Sequence, residues 1–355
     1  MMRSPGSTHT LQRVLLSLTT LTLISGCGLE LERSSEVNSL RVLAVQKSSP
    51  YARPGTNVEL NMLWADGAEP TREVNVMWLG GCVNPPGDLY YGCFAHFAEG
   101  AGGAGGATSG GLPPGLTVGS GDTFTLPIPD DIISSRPRPS DPTIPPYGLS
   151  YVFFAACAGE IEPASDPSAG FPVVCRDPQT GKLREAEGFV AGYSAIYVYE
   201  NHSNANPVIT GFEVNGVAVE PDCIGTACLE PQPLRECTGG TDIACIDACP
   251  DDGDPASCPG FSIRPVIDPA SAEIDSISAE SRDRTFREQM WIRYYTDAGS
   301  VKSDARLLND ATKGWNEDYG TIFYAPKETR RINLWAVVHD NRGGVNWVRV
   351  PIVTR

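Results

Sequence analysis

From residue 40 onward, apolar and polar side chains alternate with a period of two. Val58, Leu60, Met62 and Trp64 alternate with Asn57, Glu59, Asn61 and Leu63, and Phe124, Leu126 and Ile128 repeat the spacing. Successive side chains of a strand point to opposite faces, so this pattern predicts strands with one face turned inward. Residues 40–45 and the run Val74, Val76, Trp78 extend the series, and a buried tryptophan on the third of these strands suits a sandwich. Residues 147–157 are apolar on both faces, which predicts a central strand, and residues 189–199 predict the strand that closes a first domain over 40–200.

Residues 200–207 form a short polar linker, and a second domain is expected over 207–355. It opens with a strand at 208–214, and Asn215-Gly216 is a two-residue hairpin signal before Val217, Ala218 and Val219. Strand patterns resume at 261–267, 289–295, 321–324 and 332–338. The last of these is followed by the turn Asp340-Asn341-Arg342-Gly343-Gly344 and a closing strand at 345–353. No stretch sustains an amphipathic helical period, so helix content is expected to be low. The fold class is therefore all-β, as two sandwiches. Glycine dominates residues 100–121 and proline crowds 134–146, and neither composition holds a core. Proteolysis is expected to begin in 100–121 or 200–207.

The N-terminus departs from this pattern. Arg3 and Arg13 precede an apolar run over 14–24 that is too short to cross a bilayer core of about 30 Å as a helix, so it reads as an export signal. It ends in Leu23-Ile24-Ser25-Gly26-Cys27, which resembles the bacterial lipobox. That resemblance implies a signal peptide over 1–26, lipid on Cys27, and stable anchoring by more than one acyl chain. Residues 27–39 are polar and are expected to be a flexible tether. Gly28 stands where many lipoproteins retained at an inner membrane have aspartate, so the expected location is the outer membrane of a Gram-negative cell.

Charge narrows the partners. The chain has 27 basic and 43 acidic residues, and losing Arg3 and Arg13 with the signal leaves 25 against 43, a balance of −18. A phosphate surface repels such a protein, which argues against nucleic acid. The expected partners are the membrane, through the lipid, and an envelope protein or polysaccharide.

Of the eleven cysteines, ten remain once Cys27 is set aside for lipid. Cys82, Cys93, Cys157 and Cys175 fall in the first half. Cys223, Cys228, Cys237, Cys245, Cys249 and Cys258 fall in an insert over 222–260. In an exported chain, even counts in each half predict two closed disulfide sets, with three pairings open in the first and fifteen in the second. Pro250, Asp251, Asp252, Gly253, Asp254 and Pro255 give the insert too little apolar surface to order itself without crosslinks.

Towards the C-terminus the Tyr294-Tyr295-Thr296-Asp297-Ala298-Gly299 stretch, Trp315, Tyr324-Ala325-Pro326 and the turn around Asp340 to Gly344 resemble bacterial immunoglobulin-like or polycystin-repeat-like surface modules. With the lipobox included, the chain resembles lipoproteins of myxobacteria and related bacteria that carry such modules. The resemblance implies two immunoglobulin-like sandwiches. One departure is that the second-strand candidate, residues 58–64, has no cysteine for the usual intersheet bridge, so local pairing of Cys82 with Cys93 and of Cys157 with Cys175 is the simpler expectation.

Catalytic chemistry is sparse. His96, His202 and His339 have no second histidine three or four residues away, and no Gly-x-Ser-x-Gly or phosphate-cradling loop occurs. Residues 100–105 match Gly-x-Gly-x-x-Gly, but no strand leads in and no helix follows, so a dinucleotide site is not expected. Asp251, Asp252 and Asp254 are calcium candidates in an incomplete loop; no cofactor or other metal is expected. Tyr90, Tyr91, Phe94 and Phe97 cluster near Cys93 and read either as packing under a long loop or as a sugar-binding face. The expected role is a non-catalytic binding or structural module, not an enzyme; the alternative is a carboxylate-dependent, carbohydrate-active hydrolase.

Overall fold

The computed structural model of the chain describes residues 33–94, 115–164, 171–228, 237, 244–250, 257–282 and 285–355. Cys27, the residue 1–26 signal, His96, Phe97, the 100–105 glycines and Asp251, Asp252 and Asp254 lie outside the described residues.

The first half contributes β1 (Leu40–Lys47), β2 (Tyr51–Ala52), β3 (Asn57–Asp66), β4 (Asn75–Val83), β5 (Thr117–Ser120), β6 (Thr123–Pro127), β7 (Gly148–Cys157), β8 (Glu160–Pro163), β9 (Val173–Arg176) and β10 (Phe189–Val198). They form a sheet β1-β3-β6, a sheet β2-β10-β7-β4-β5 and a ribbon β8-β9. The period-two residues make the core between the two large sheets. Val58, Leu60, Trp78, Phe124, Leu126, Val152 and Ile196 are all buried there. Trp78 donates its indole N–H to Gly121 O at 2.7 Å and stacks on Phe124. All ten residues of β7 are buried. Its second face is covered because Leu79, Leu149, Tyr151 and Phe153 pack under the loop closed by the Cys82–Cys93 bridge.

The second half contributes β11 (Ile209–Val214), β12 (Val217–Val219), β13 (Cys223–Ile224), β14 (Ala227–Cys228), β15 (Cys245–Ile246), β16 (Gly260–Ile267), helix α1 (Ser276–Arg282), β17 (Met290–Thr296), β18 (Ser300–Val301), β19 (Ala305–Asp310), β20 (Gly314–Trp315), β21 (Thr321–Tyr324), β22 (Arg331–Asp340) and β23 (Val345–Thr354). One sheet runs β12-β11-β16-β21-β18. The other runs β14-β13-β23-β22-β17-β19-β20, with β15 also paired to β23. Ile332, Leu334, Ala336 and Val338 of β22 and Val348, Val350 and Ile352 of β23 fill the core between them. The hairpin signal forms as expected: Val214 pairs with Val217 across Asn215 and Gly216, both with positive φ. Tyr294 and Thr296 are core and turn residues, the Tyr294 hydroxyl donating to Tyr319 O at 2.8 Å.

Five bridges close the cysteines locally: Cys82–Cys93, Cys157–Cys175, Cys223–Cys228, Cys237–Cys245 and Cys249–Cys258. In the insert, β13 and β15 lie along the edge of β23 opposite β22, so the crosslinked segment covers an edge that would otherwise be open to pairing.

The two sandwiches meet over a third apolar cluster. Trp335 and Val337 on the outer face of β22, and Val345 and Trp347 of β23, pack with Leu43 and Ala44 of β1 and with Val37. Residues Ser34–Arg355 accordingly form one compact unit. This contact corrects two expectations. Residues 34–39, expected in a flexible tether, are pinned: Val37 N donates to Thr296 O at 2.8 Å, Thr296 N to Ser35 O at 2.9 Å, and Ser35 and Val37 are buried. The linker is not an uncovered segment either. His202, Asn204 and Pro207 are buried, and Asn206 donates to Lys47 O at 2.7 Å and accepts from Val345 N at 3.0 Å. Its polar residues serve as hydrogen-bonding groups at the junction rather than as a solvated spacer.

Candidate functional site

Where the end of β1, β2, the outer face of β10 and the β22–β23 turn converge, they enclose a cleft of about 540 Å³. Its aromatic wall follows from strand alternation. Ile196 and Val198 of β10 point into the sandwich core, so Tyr193, Ala195 and Tyr197 point out, and Tyr199 follows just past the strand. Tyr51 enters from β2, whose parallel register places it opposite Tyr197. Tyr51 and Tyr199 are 4.9 Å apart between ring centroids.

The opposite wall is the turn Asp340-Asn341-Arg342-Gly343-Gly344. Asp340 Oδ1 accepts from Arg342 N at 2.7 Å and Gly344 N at 2.8 Å, and Oδ2 accepts from Asn204 Nδ2 at 3.1 Å. Gly343 has φ +89°, and a Cβ on Gly344 would collide with the Asp340 carboxylate, so the turn needs both glycines. His339 stacks on Trp291 with centroids 5.3 Å apart.

Four titratable residues lie at or behind this wall. The Lys47 ammonium donates to Ala195 O at 3.0 Å; burial lowers its pKa to about 8, partly opposed by the charge of Asp340. The Arg342 guanidinium is ion-paired with Asp275 and lies over the Tyr51 ring at 5.7 Å. Glu288 is fully buried. Its Oε1 is 3.5 Å from Arg342 Nε, yet neither carboxyl oxygen makes a hydrogen bond. A contact of that length without alignment is not a bond, and Nη2 of the guanidinium is committed to Asp275. Burial, reinforced by the charges of Asp340 and Glu273, raises the Glu288 carboxyl to about 8, so it holds its proton at neutral pH. Burial lowers His339 to about 4, so that ring is neutral.

The aromatic residues singled out from sequence join this site from outside. Tyr90 stacks on Tyr193 with centroids 4.4 Å apart, while Phe94 packs on Phe153 beneath them. Phe94 is packing under the loop, while Tyr90 and Tyr91 are exposed at 38% and 57%. The loop that carries them is held by Asp88, which accepts from Arg136 Nη2 at 2.7 Å and from the Tyr147 hydroxyl at 2.5 Å. Burial raises Tyr147 to about 12 and keeps it a donor. His202 bonds Ser276 Oγ at 2.9 Å, apart from His339, and no group of metal-holding side chains occurs among the described residues.

Sequence reasoning did not single out Lys47, Tyr51, Tyr193, Tyr197, Tyr199, Glu288 or Arg342 as site residues. The even spacing of Tyr193, Tyr197 and Tyr199 was a usable signal, because it places three tyrosines on one face of a predicted strand.

No protein-family model matches the chain, and no curated protein matches it. Among solved structures it is similar to the chicken CNTN1 FN1–FN3 domains, at 9% identity and a TM-score of 0.18, over 88% of this chain and 64% of that one. It is also similar to Escherichia coli alpha-2-macroglobulin activated by porcine elastase, at 10% identity and a TM-score of 0.19, over 92% of this chain and 22% of that one. The architecture rests on the sheets themselves: the chain is an all-β protein of immunoglobulin-like sandwiches with five disulfides.

Proposed function

We propose that the protein is a cell-envelope lipoprotein, anchored through Cys27 in the outer membrane of a Gram-negative cell and related to the myxobacterial lipoproteins that it resembles. It acts as a non-catalytic binding module. The observation that carries the binding role is the cleft between the two sandwiches, a concave site with an aromatic wall and a few fixed polar groups. What supports a non-catalytic reading over a hydrolase is the state of the nearest acids. Both Asp340 oxygens are occupied by donors within the chain, and Glu288 is buried away from solvent, so neither is presented as half of a catalytic pair.

Two experiments test this. Cys27→Ser is expected to abolish lipid labelling and release the protein from the membrane fraction; a cleaved variant that still fractionates with membranes sinks the anchor. For binding, the full-length protein in detergent is sedimented with purified envelope of the producing cell. It is expected to cosediment, and Tyr193→Ala/Tyr197→Ala is expected to lose cosedimentation while keeping its melting temperature. Equal cosedimentation of both proteins removes the cleft from the function.

A further inference from the structure

Resting on that reading, we infer that the cleft and the tyrosines beside it take a neutral, hydroxyl-rich sugar chain. The first observation is continuity. Tyr90 and Tyr193 stack at 4.4 Å, Tyr193 and Tyr197 are 46% and 38% exposed on one face of β10, and Tyr51 and Tyr199 continue the aromatic surface into the cleft. The surface is elongated, as suits a chain of repeating units rather than a compact ligand. Each tyrosine offers a flat apolar face with a wet hydroxyl at its end, and that hydroxyl both donates and accepts. A sugar ring has the matching character, with C–H groups on its faces and hydroxyls at its rim.

The second observation is charge. Arg342 is closed by Asp275, and Lys47 is met by the Ala195 carbonyl and the charge of Asp340, whose own oxygens are filled. Glu288, protonated at neutral pH, adds no charge. The cationic and anionic groups therefore answer one another, leaving no spare charge to recruit an anion or a cation. A purely apolar ligand would strand the tyrosine hydroxyls without partners.

The third observation is rigidity. The Tyr90 loop is tied by Cys82–Cys93 and by the Asp88, Arg136 and Tyr147 contacts, so little ordering cost is left for binding.

The test uses the full-length protein in detergent, run in native gels that contain either the neutral or the acidic polysaccharide fraction of the producer's envelope, separated by anion exchange. Affinities are then measured by calorimetry. The neutral fraction is expected to retard the protein, with binding unchanged between low salt and about 0.5 M salt, where charge attraction is screened. Tyr193→Ala/Tyr197→Ala is expected to weaken binding about tenfold or more, and Tyr193→Phe/Tyr197→Phe to recover part of it through the ring faces. Retardation by the acidic fraction alone, loss of binding in salt, no retardation by either fraction, or an alanine variant that binds as tightly as the parent would each overturn the inference. If the neutral fraction fails while envelope cosedimentation persists and still depends on the tyrosines, the ligand class is wrong and the binding module stands. If cosedimentation is also absent, both readings fall.

Discussion

Glu288 is the residue whose protonation most directly links the fold to pH. Its carboxyl has an ordinary pKa of 4.5 and stands near 8 in the folded protein. The folded state therefore binds more protons than the unfolded state between those values, and stability falls as pH rises through the window, by on the order of 5 kcal/mol in total. Denaturant titrations from pH 4.5 to 9 are expected to record that decline, and Glu288→Gln is expected to flatten it. An unchanged slope in the variant would mean that the carboxyl is ionised when folded. His339 acts at the other end. Its folded pKa of about 4, below the usual 6.5, means that the unfolded chain takes up the proton first, so stability is lost as pH falls from 6.5 towards 4. His339→Phe, which keeps an aromatic ring against Trp291, is expected to remove a loss on the order of 3 kcal/mol between pH 6.5 and pH 4.

At the scale of elements, the insert is a crosslinked cover for β23. Val353 N donates to Ala244 O and Arg355 N to Ile246 O, beside the Cys237–Cys245 bridge. Asp222, buried at the start of the insert, accepts from Arg349 Nε at 2.8 Å. Replacing Cys237 and Cys245 together by serine is expected to cost about 2–3 kcal/mol locally, through the freedom returned to the unfolded segment. Hydrogen exchange checks it: the amides of Val353 and Arg355 should lose protection, while the β22–β23 ladder keeps its own. If β22 loosens as well, the insert is part of the folding core and not a cover. The local closure of these bridges was legible in part, since cysteine parity within each half already separated the sets. The choice among fifteen pairings was not, because it depends on which short strands reach the β23 edge.

At the scale of the whole molecule, the junction decides how the protein unfolds. Trp335 and Trp347 belong to neither sandwich core; they pack against Leu43, Ala44 and Val37. A run such as Ile332–Val338 looked like an ordinary core strand in sequence, and the unbroken apolarity of Leu334–Val338 has a different cause: Leu334, Ala336 and Val338 face one core while Trp335 and Val337 face the other sandwich. Trp347→Ala is expected to cost about 3–5 kcal/mol. It is also expected to split a single calorimetric transition into two. A parent protein that already melts in two steps would show that the junction does not couple the sandwiches.

Period-two alternation determined the all-β class, the inward faces of β3 and β6 and the buried Trp78, and apolarity on both faces determined the central position of β7, because each depends only on neighbours along one strand. The Asn215-Gly216 hairpin was fixed at short range for the same reason, and cysteine parity separated the two disulfide sets without choosing the pairing inside the insert. The tertiary structure alone decided the pinning of residues 34–39, the burial of the 200–207 linker and the cleft. The cleft brings Lys47, Tyr51, Tyr197 and Arg342 together from distant parts of the chain, through a parallel β2–β10 pairing and a contact between two sandwiches. Alternation says which way a side chain points from its own strand. It carries no information about which other surface will be there to meet it.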